Sequence, residues 1–252
     1  MKILFLGDLH GDPHWVKWAF EQAVDFDAEL IIQLGDLGYW EHMDGGKQFM
    51  DLLQMCTEEY LIDFWWIDGN HENFDWLYDY PLDSNGRRPI RPNVIHLPRG
   101  HMFELDDVKF LAFGGSFSID RHRRELGVSY WKQEVPTVQE VDAARAVGKV
   151  DVMLTHDVPE GTDLSGLLGP SWKVYATKFV ECGTVRDRVR DVWSIAKPNW
   201  LFHGHYHRRN DTVLGDTRIV GLSNEQTGTG SIYVADTADL TNSCIPTPLG
   251  SG

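Results

Sequence analysis

The 252-residue sequence is short of cysteine, has no excess of basic charge and contains no long apolar run, and each lack narrows what the chain can be. Cys56, Cys182 and Cys244 are odd in number and far apart. They make neither a zinc-type pair nor a disulfide framework, so the chain reads as a reduced, cytoplasmic protein. Lys and Arg total 23 against 38 Asp and Glu, a net charge of −15. Such a body repels duplex nucleic acid and anionic membrane unless basic residues are tightly clustered. The short cluster of Arg121, Arg123 and Arg124 could hold one phosphate or be a solvated turn, but it is no duplex track. The first apolar run, residues 3–6, is cut at once by Gly7-Asp8, which leaves no span for a membrane helix or signal peptide. No repeat, low-complexity block or obvious linker divides the sequence.

What is present suits a globular chain: 42% hydrophobic and 24% charged residues are enough to bury a sizeable core. With 12 Phe, 10 Trp and 8 Tyr, most rings are expected to pack and some to line a cleft. Apolar strand runs alternate with helical spacing. Residues 2–7, 30–34 and 62–67 read as strands, separated by helical patterns over 13–25 and about 46–60. Residues 81–98, rich in Pro, Arg, Asn and Gly, read as a surface excursion. Further strands are expected at 94–97, 102–105, 108–113, 152–155, 200–202, 218–222 and 231–235. Helices are expected at 137–147, opened by a Thr137/Glu140 capping box, and at about 172–195. The whole reads as one α/β domain over residues 1–237, with a loose tail over 238–252.

Five segments place metal-binding residue types just after apolar strands. They are Gly7-Asp8-Leu9-His10, Gly35-Asp36, Gly69-Asn70-His71-Glu72, Thr155-His156 and His203-Gly204-His205-Tyr206-His207. Strand-end loops are where α/β folds build sites. Asp8 and His10 are two apart, as are His205 and His207, and on extended backbone residues two apart point the same way. Gly7, Gly11, Gly35, Gly69 and Gly204 allow the tight turns that bring such side chains inward. The other histidines, His14, His42, His96, His101, His122 and His203, read as packing or surface residues.

In this order the segments resemble the motif set of the calcineurin-like metallophosphoesterases, D-x-H, G-D, G-N-H-[ED], H and G-H-x-H, in its compact bacterial and phage forms. The match runs from residue 8 to residue 207, and its force lies in all five appearing together. The resemblance implies a four-layer sandwich of two mixed β-sheets flanked by helices, with a dinuclear site at one edge. It implies Asp8, His10 and His207 on one metal, Asn70, His156 and His205 on the other, Asp36 bridging both, and His71 as proton donor. Oxygen and nitrogen ligands without thiolate suit manganese, the first expectation, or iron, zinc, nickel or cobalt. Two divalent ions against the carboxylates of Asp8 and Asp36 and one bridging hydroxide leave the centre at about +1, which attracts phosphate despite the acidic body. Two metals about 3.5–4 Å apart activate a shared water and clamp phosphoryl oxygens, while His71 would protonate the leaving oxygen.

The sequence departs from the phosphoprotein phosphatases of this superfamily, whose second motif runs G-D-x-x-D-R. Tyr39 and Trp40 stand at the Asp and Arg positions. A dianionic monoester thereby loses one expected cation, and His71 loses its usual orienting carboxylate. A phosphodiester carries a single charge and needs less. Tyr39, Trp40, Phe74 and Trp76 could stack on a nucleobase or simply pack the rim and core. Residues 114–121 loosely resemble a segment of the compact members, by which Arg121 or Arg124 could supply the missing phosphate contact. The expectation is therefore a metal-dependent phosphodiesterase acting on small nucleotides, 2′,3′-cyclic ones among them. The alternatives are a phosphomonoesterase or protein phosphatase of the same fold, a nuclease, and a non-catalytic scaffold that would have lost ligands.

Overall fold

In the first strand, alternate residues serve different cores. β1 (Lys2–Leu6) turns Ile3 and Phe5 to one side and Leu4 and Leu6 to the other, and all four are fully buried. A strand apolar on both faces must be covered on both. The computed structural model describes residues 1–165, 167–168 and 180–240, the side chains of 180 and 181 excepted, and shows how this is done.

One six-stranded sheet has the order β12-β1-β2-β3-β5-β4, with β2 Leu30–Gln33, β3 Asp63–Trp66, β4 Arg88–Arg91, β5 Val94–His96 and β12 Ile232–Asp236. The second has the order β10-β11-β9-β8-β7-β6, with β6 Met102–Leu105, β7 Val108–Phe113, β8 Val152–Thr155, β9 Trp200–His203, β10 Asn210–Leu214 and β11 Thr217–Gly221. Each has parallel strands at its centre and antiparallel strands at its edges. The sheets face each other across a core in which Phe5 stacks on Phe202 with ring centroids 4.2 Å apart. Helices α1 (Pro13–Asp25) and α2 (Gly46–Tyr60) cover the outer face of the first sheet. Helices α4 (Val138–Val147) and α5 (Val180–Ala196) cover that of the second. The result is the expected four-layer sandwich. Among the described residues, no helix is long and apolar enough to cross a membrane.

Local chemistry accounts for several boundaries. Asp12 caps α1 by accepting from the backbone of His14 and Trp15, with Pro13 in the first turn where its missing N–H costs nothing. Thr137 and Glu140 form the capping box read from the sequence. Two strands and a helix escaped that reading. β4 lies inside the supposed surface excursion, at an edge where Pro89 is tolerated and where the register shifts between Pro89 and Arg91. β10 pairs with β11 through the two-residue turn Gly215-Asp216, a hairpin signal that the charged, half-exposed strand obscured. The short helix α3 (Phe74–Asp79) is capped by Asn73. The first part of the helix expected over 172–195 lies outside the described residues, as does the tail from residue 241 onward.

Candidate metal centre

The loops after β1, β2, β3, β8 and β9 open at the same edge of the sandwich, and each delivers one of the five segments. Potential ligand atoms of Asp8, His10, Asp36 and His207 lie within 4.8 Å of one another, and so do those of Asp36, His156 and His205. Asp36 belongs to both groups. Its Oδ2 is 3.3 Å from His156 Nε2, 3.5 Å from His10 Nε2 and 3.8 Å from His71 Nε2. Its Oδ1 accepts the backbone N–H of Asn70 at 2.7 Å and of His71 at 2.8 Å. The loop after β3 is therefore laced to the carboxylate shared by the two groups.

Close packing explains two of the glycines. A Cβ on Gly69 would collide with Asp36 Oδ1 and His156 Nε2, and one on Gly204 with Asp8 Oδ1. The residues around them carry the backbone cost instead: His10, Asp36, His205 and His207 all have positive φ, between 46° and 70°. Such conformations persist where the surroundings over-determine them, and they gather at functional sites.

Whether ions fit can be judged from atoms otherwise unserved. Asn70 Oδ1 is buried without a hydrogen bond, and buried Asp8 Oδ2 and His156 Nε2 face only other candidate ligands, His207 Nε2 at 3.0 Å and Asp36 Oδ2 at 3.3 Å, in poor hydrogen-bond geometry. Three buried polar atoms so poorly paired at one place are costly unless a cation serves them. The donor set of carboxylate, imidazole and amide oxygen suits a borderline transition metal. The residues fit two divalent ions. Neighbours fix the ligands in turn: His156 Nδ1 is 2.7 Å from Leu34 O, and His10 Nδ1 is 2.7 Å from Glu225 Oε2. Glu225 was missed in the sequence, although it follows the end of β11 much as the ligands follow theirs, and its own N–H donates to Asp8 O at 2.9 Å.

Electrostatics follow the same arrangement. Burial opposes charge on His10 and His156, but the carboxylates of Asp36, Glu225 and Asp8 outweigh it, raising their pKa values to about 11 and about 10. Glu72 is buried and its carboxyl is pushed up to about 7 by burial and by Asp36, against backbone N–H donors that include Tyr39 and Gly69. It braces the loops after β2 and β3.

Arg124 stands where the sequence offered no partner for His71. Its Nη1 lies 2.8 Å from His71 Nδ1 and its Nη2 3.2 Å from His71 Nε2, while Nε pairs with Asp120 at 2.8 Å. Burial and this guanidinium hold the imidazole below its ordinary pKa, against the pull of Asp36. A cleft of about 310 Å³ is lined by Asp36, Asn70, His71, Arg124, His205 and His207, among others. Arg121 does not line it, and its guanidinium stacks over Phe117, 4.3 Å from the ring centroid.

The expected base-stacking rings divide. Tyr39 and Phe74 are fully buried. Tyr39 packs on Trp66 with centroids 6.1 Å apart and donates its hydroxyl to Glu41, so it cannot meet a substrate, and that expectation is corrected. Trp40 instead lines a separate cleft of about 530 Å³ with Gly11, Gly38, Met43 and Phe49. Trp76 is half exposed, beside His42.

A family model described as calcineurin-like phosphoesterase matches residues 1–209. The chain belongs to that family. No curated protein matches its sequence. Among solved structures, this calcineurin-like phosphoesterase resembles the protein TT1561 of Thermus thermophilus, with a TM-score of 0.57, 14% identity and 93% of each chain covered. It also resembles a dimetal phosphatase from Danio rerio, with a TM-score of 0.58, 12% identity, and 93% and 92% of the two chains covered. At these identities the likeness is one of fold.

Proposed function

We propose that the protein is a metal-dependent phosphodiesterase acting on small nucleotides, with 2′,3′-cyclic nucleotides among its candidate substrates. The observation that carries this reading is the cationic content of the cleft. Among the described residues lining it, Arg124 is the one permanent cation, and it is already paired with Asp120. That suits the single charge of a diester better than the double charge of a monoester.

In this reading Asp8, His10 and His207 hold one divalent ion and Asn70, His156 and His205 the other, with Asp36 shared. Manganese is the first candidate, and iron, zinc, nickel or cobalt suit the same donors. When bound, two such ions supply an activated water and a clamp on the phosphoryl oxygens. The remaining work falls to the chain. Arg124 orients the phosphoryl group and, once engaged by its charge, no longer opposes protonation of His71, which can then take a proton from solvent and pass it to the leaving oxygen. Trp40 stands in the separate cleft beside Gly11, next in sequence to His10, where its indole would meet a base only of a substrate that reaches across from the metal cleft. The acidic surface, net −15, selects against long polyanions.

The test is kcat/KM for bis-(p-nitrophenyl) phosphate against p-nitrophenyl phosphate across several metals, followed by a panel of 2′,3′- and 3′,5′-cyclic nucleotides. Diester preference supports the reading. A strong monoester preference overturns it, and no turnover with any added metal revives the scaffold.

A further inference from the structure

Asn70 is the one amide in the proposed set, and an amide has two unlike ends. Its oxygen can face a cation, whereas its NH2 cannot. In the structure Asn70 Nδ2 donates to Ser118 Oγ over 3.1 Å, and Oδ1 is buried without a hydrogen bond. The choice between the two ends is made further out. A serine hydroxyl carries one proton. That of Ser118 has two acceptors within reach, Glu134 Oε2 at 2.8 Å and Asn70 O at 3.5 Å. The shorter bond, to Glu134, wins when that carboxyl is ionised, and because burial pushes it up to about 7 the relay is set above that pH. Glu134 also accepts the Ser118 backbone N–H at 3.0 Å, is 1% exposed, and has its own carbonyl held by Arg99. With its proton committed, Ser118 Oγ can only accept, and only the NH2 end of Asn70 can serve it.

We propose that Glu134 is a positioning residue which, through Ser118, sets the polarity of the Asn70 amide so that Oδ1 faces the second metal. The inference rests on the two-metal reading above. Ser116, two residues earlier on the same segment, stands in a similar relation to another candidate ligand. Its hydroxyl donates to Asp157 Oδ2 at 3.0 Å and lies 3.1 Å from His205 Nε2. The alternation of Ser116 and Ser118 thus serves two side chains of the same metal position, each hydroxyl backed by a carboxylate.

Glu134→Gln tests the relay because it keeps the shape and changes the polarity. A glutamine that accepts the Ser118 N–H through its oxygen must offer its NH2 to Ser118 Oγ. The hydroxyl proton then turns toward Asn70 and meets the NH2 there. Calorimetric titration of the metal-stripped protein with Mn2+ should show one of two binding steps weakened by about 10–100-fold, as for other outer partners of metal ligands, and the other unchanged. In an Asn70→Asp background, whose carboxylate presents oxygen both ways, the same substitution should cost less than about threefold.

An equal loss in both backgrounds would show a merely structural role and overturn the proposal. So would a Glu134→Gln titration identical to wild type. Unfolding midpoints of the stripped variants check their folding. If Glu134→Gln does not fold, Ser118→Ala carries the test in the same two backgrounds: it should weaken that step where Asn70 is intact and spare it in the Asn70→Asp background, and an unchanged or equal effect overturns the proposal. A wild-type protein that takes up fewer than two ions overturns the two-metal reading, and this inference with it.

Discussion

His10, Asp36, His205 and His207 hold left-handed backbone that their own side chains disfavour, and what they gain is convergence on a shared carboxylate. Roles divide by distance. His71 has Nε2 3.8 Å from Asp36 Oδ2 and faces Arg124 with both ring nitrogens, beside the candidate ligands, where the proposed reading makes it proton donor and not ligand. His71→Ala should keep its ions, as counted by mass spectrometry, while kcat falls by about 10²–10⁴-fold. Ion loss in that variant would make His71 a ligand. The two arginines should separate as well. Arg124→Ala should raise KM for a diester by about tenfold or more, as loss of a charged hydrogen bond predicts, and Arg121→Ala should leave KM unchanged. Steady-state kinetics on both variants decide this, and equal effects would contradict the placement of Arg121 over Phe117. The candidate ligands were legible because five spaced segments had to agree in order. Tyr39 was not, because its place beside a site residue in sequence says nothing about which way its ring turns, and here it turns into the core.

At the scale of elements, regular patterns were readable and irregular ones were not. Alternation revealed β1, and a Thr and a Glu three apart revealed the start of α4. Thr137→Ala removes the cap and should cost about 1 kcal/mol in urea unfolding, with metal uptake unaffected. A change below about 0.3 kcal/mol would show that the cap adds little beyond packing. β4 and Glu134 left no periodic trace, since an edge strand with Pro89 and a one-turn helix, Lys132–Glu134, obey neither period. The segments around them are tied by a buried cluster. Arg99 donates to Asp68 at 2.6 and 2.8 Å and to the carbonyls of Gln133 and Glu134. Burial works against the Asp68 carboxylate, but Arg99 and His96 prevail and lower its pKa from 3.8 to about 2. Because the folded value is depressed, this contribution is present above about pH 4 and is lost as pH falls toward 2. Asp68→Asn should flatten the decline of unfolding free energy across that interval, and a decline unchanged in slope would exclude Asp68 as its source.

The whole molecule sets two opposed fields. A net charge of −15 repels anions at a distance, while two buried carboxylates at one edge call for cations and, with them, make a local anion site. The four layers place both requirements in one body: the sheets seal a core between Phe5 and Phe202, and the strand-end loops are left to carry chemistry. The α/β character was readable from the order of strands and helices, and the four layers from the family resemblance that the five segments carry. The separation of the clefts beside Arg124 and Trp40 was not, since it depends on how the loops fold back. Asp36 joins everything at this edge, touching both ligand groups and the loop after β3. The most direct measurement is therefore the number of divalent ions per chain, by mass spectrometry after metal loading, in the wild-type protein and in Asp36→Ala. Two ions in the first and loss of both in the second are predicted, whereas an Asp36→Ala protein that retains both would contradict a shared carboxylate.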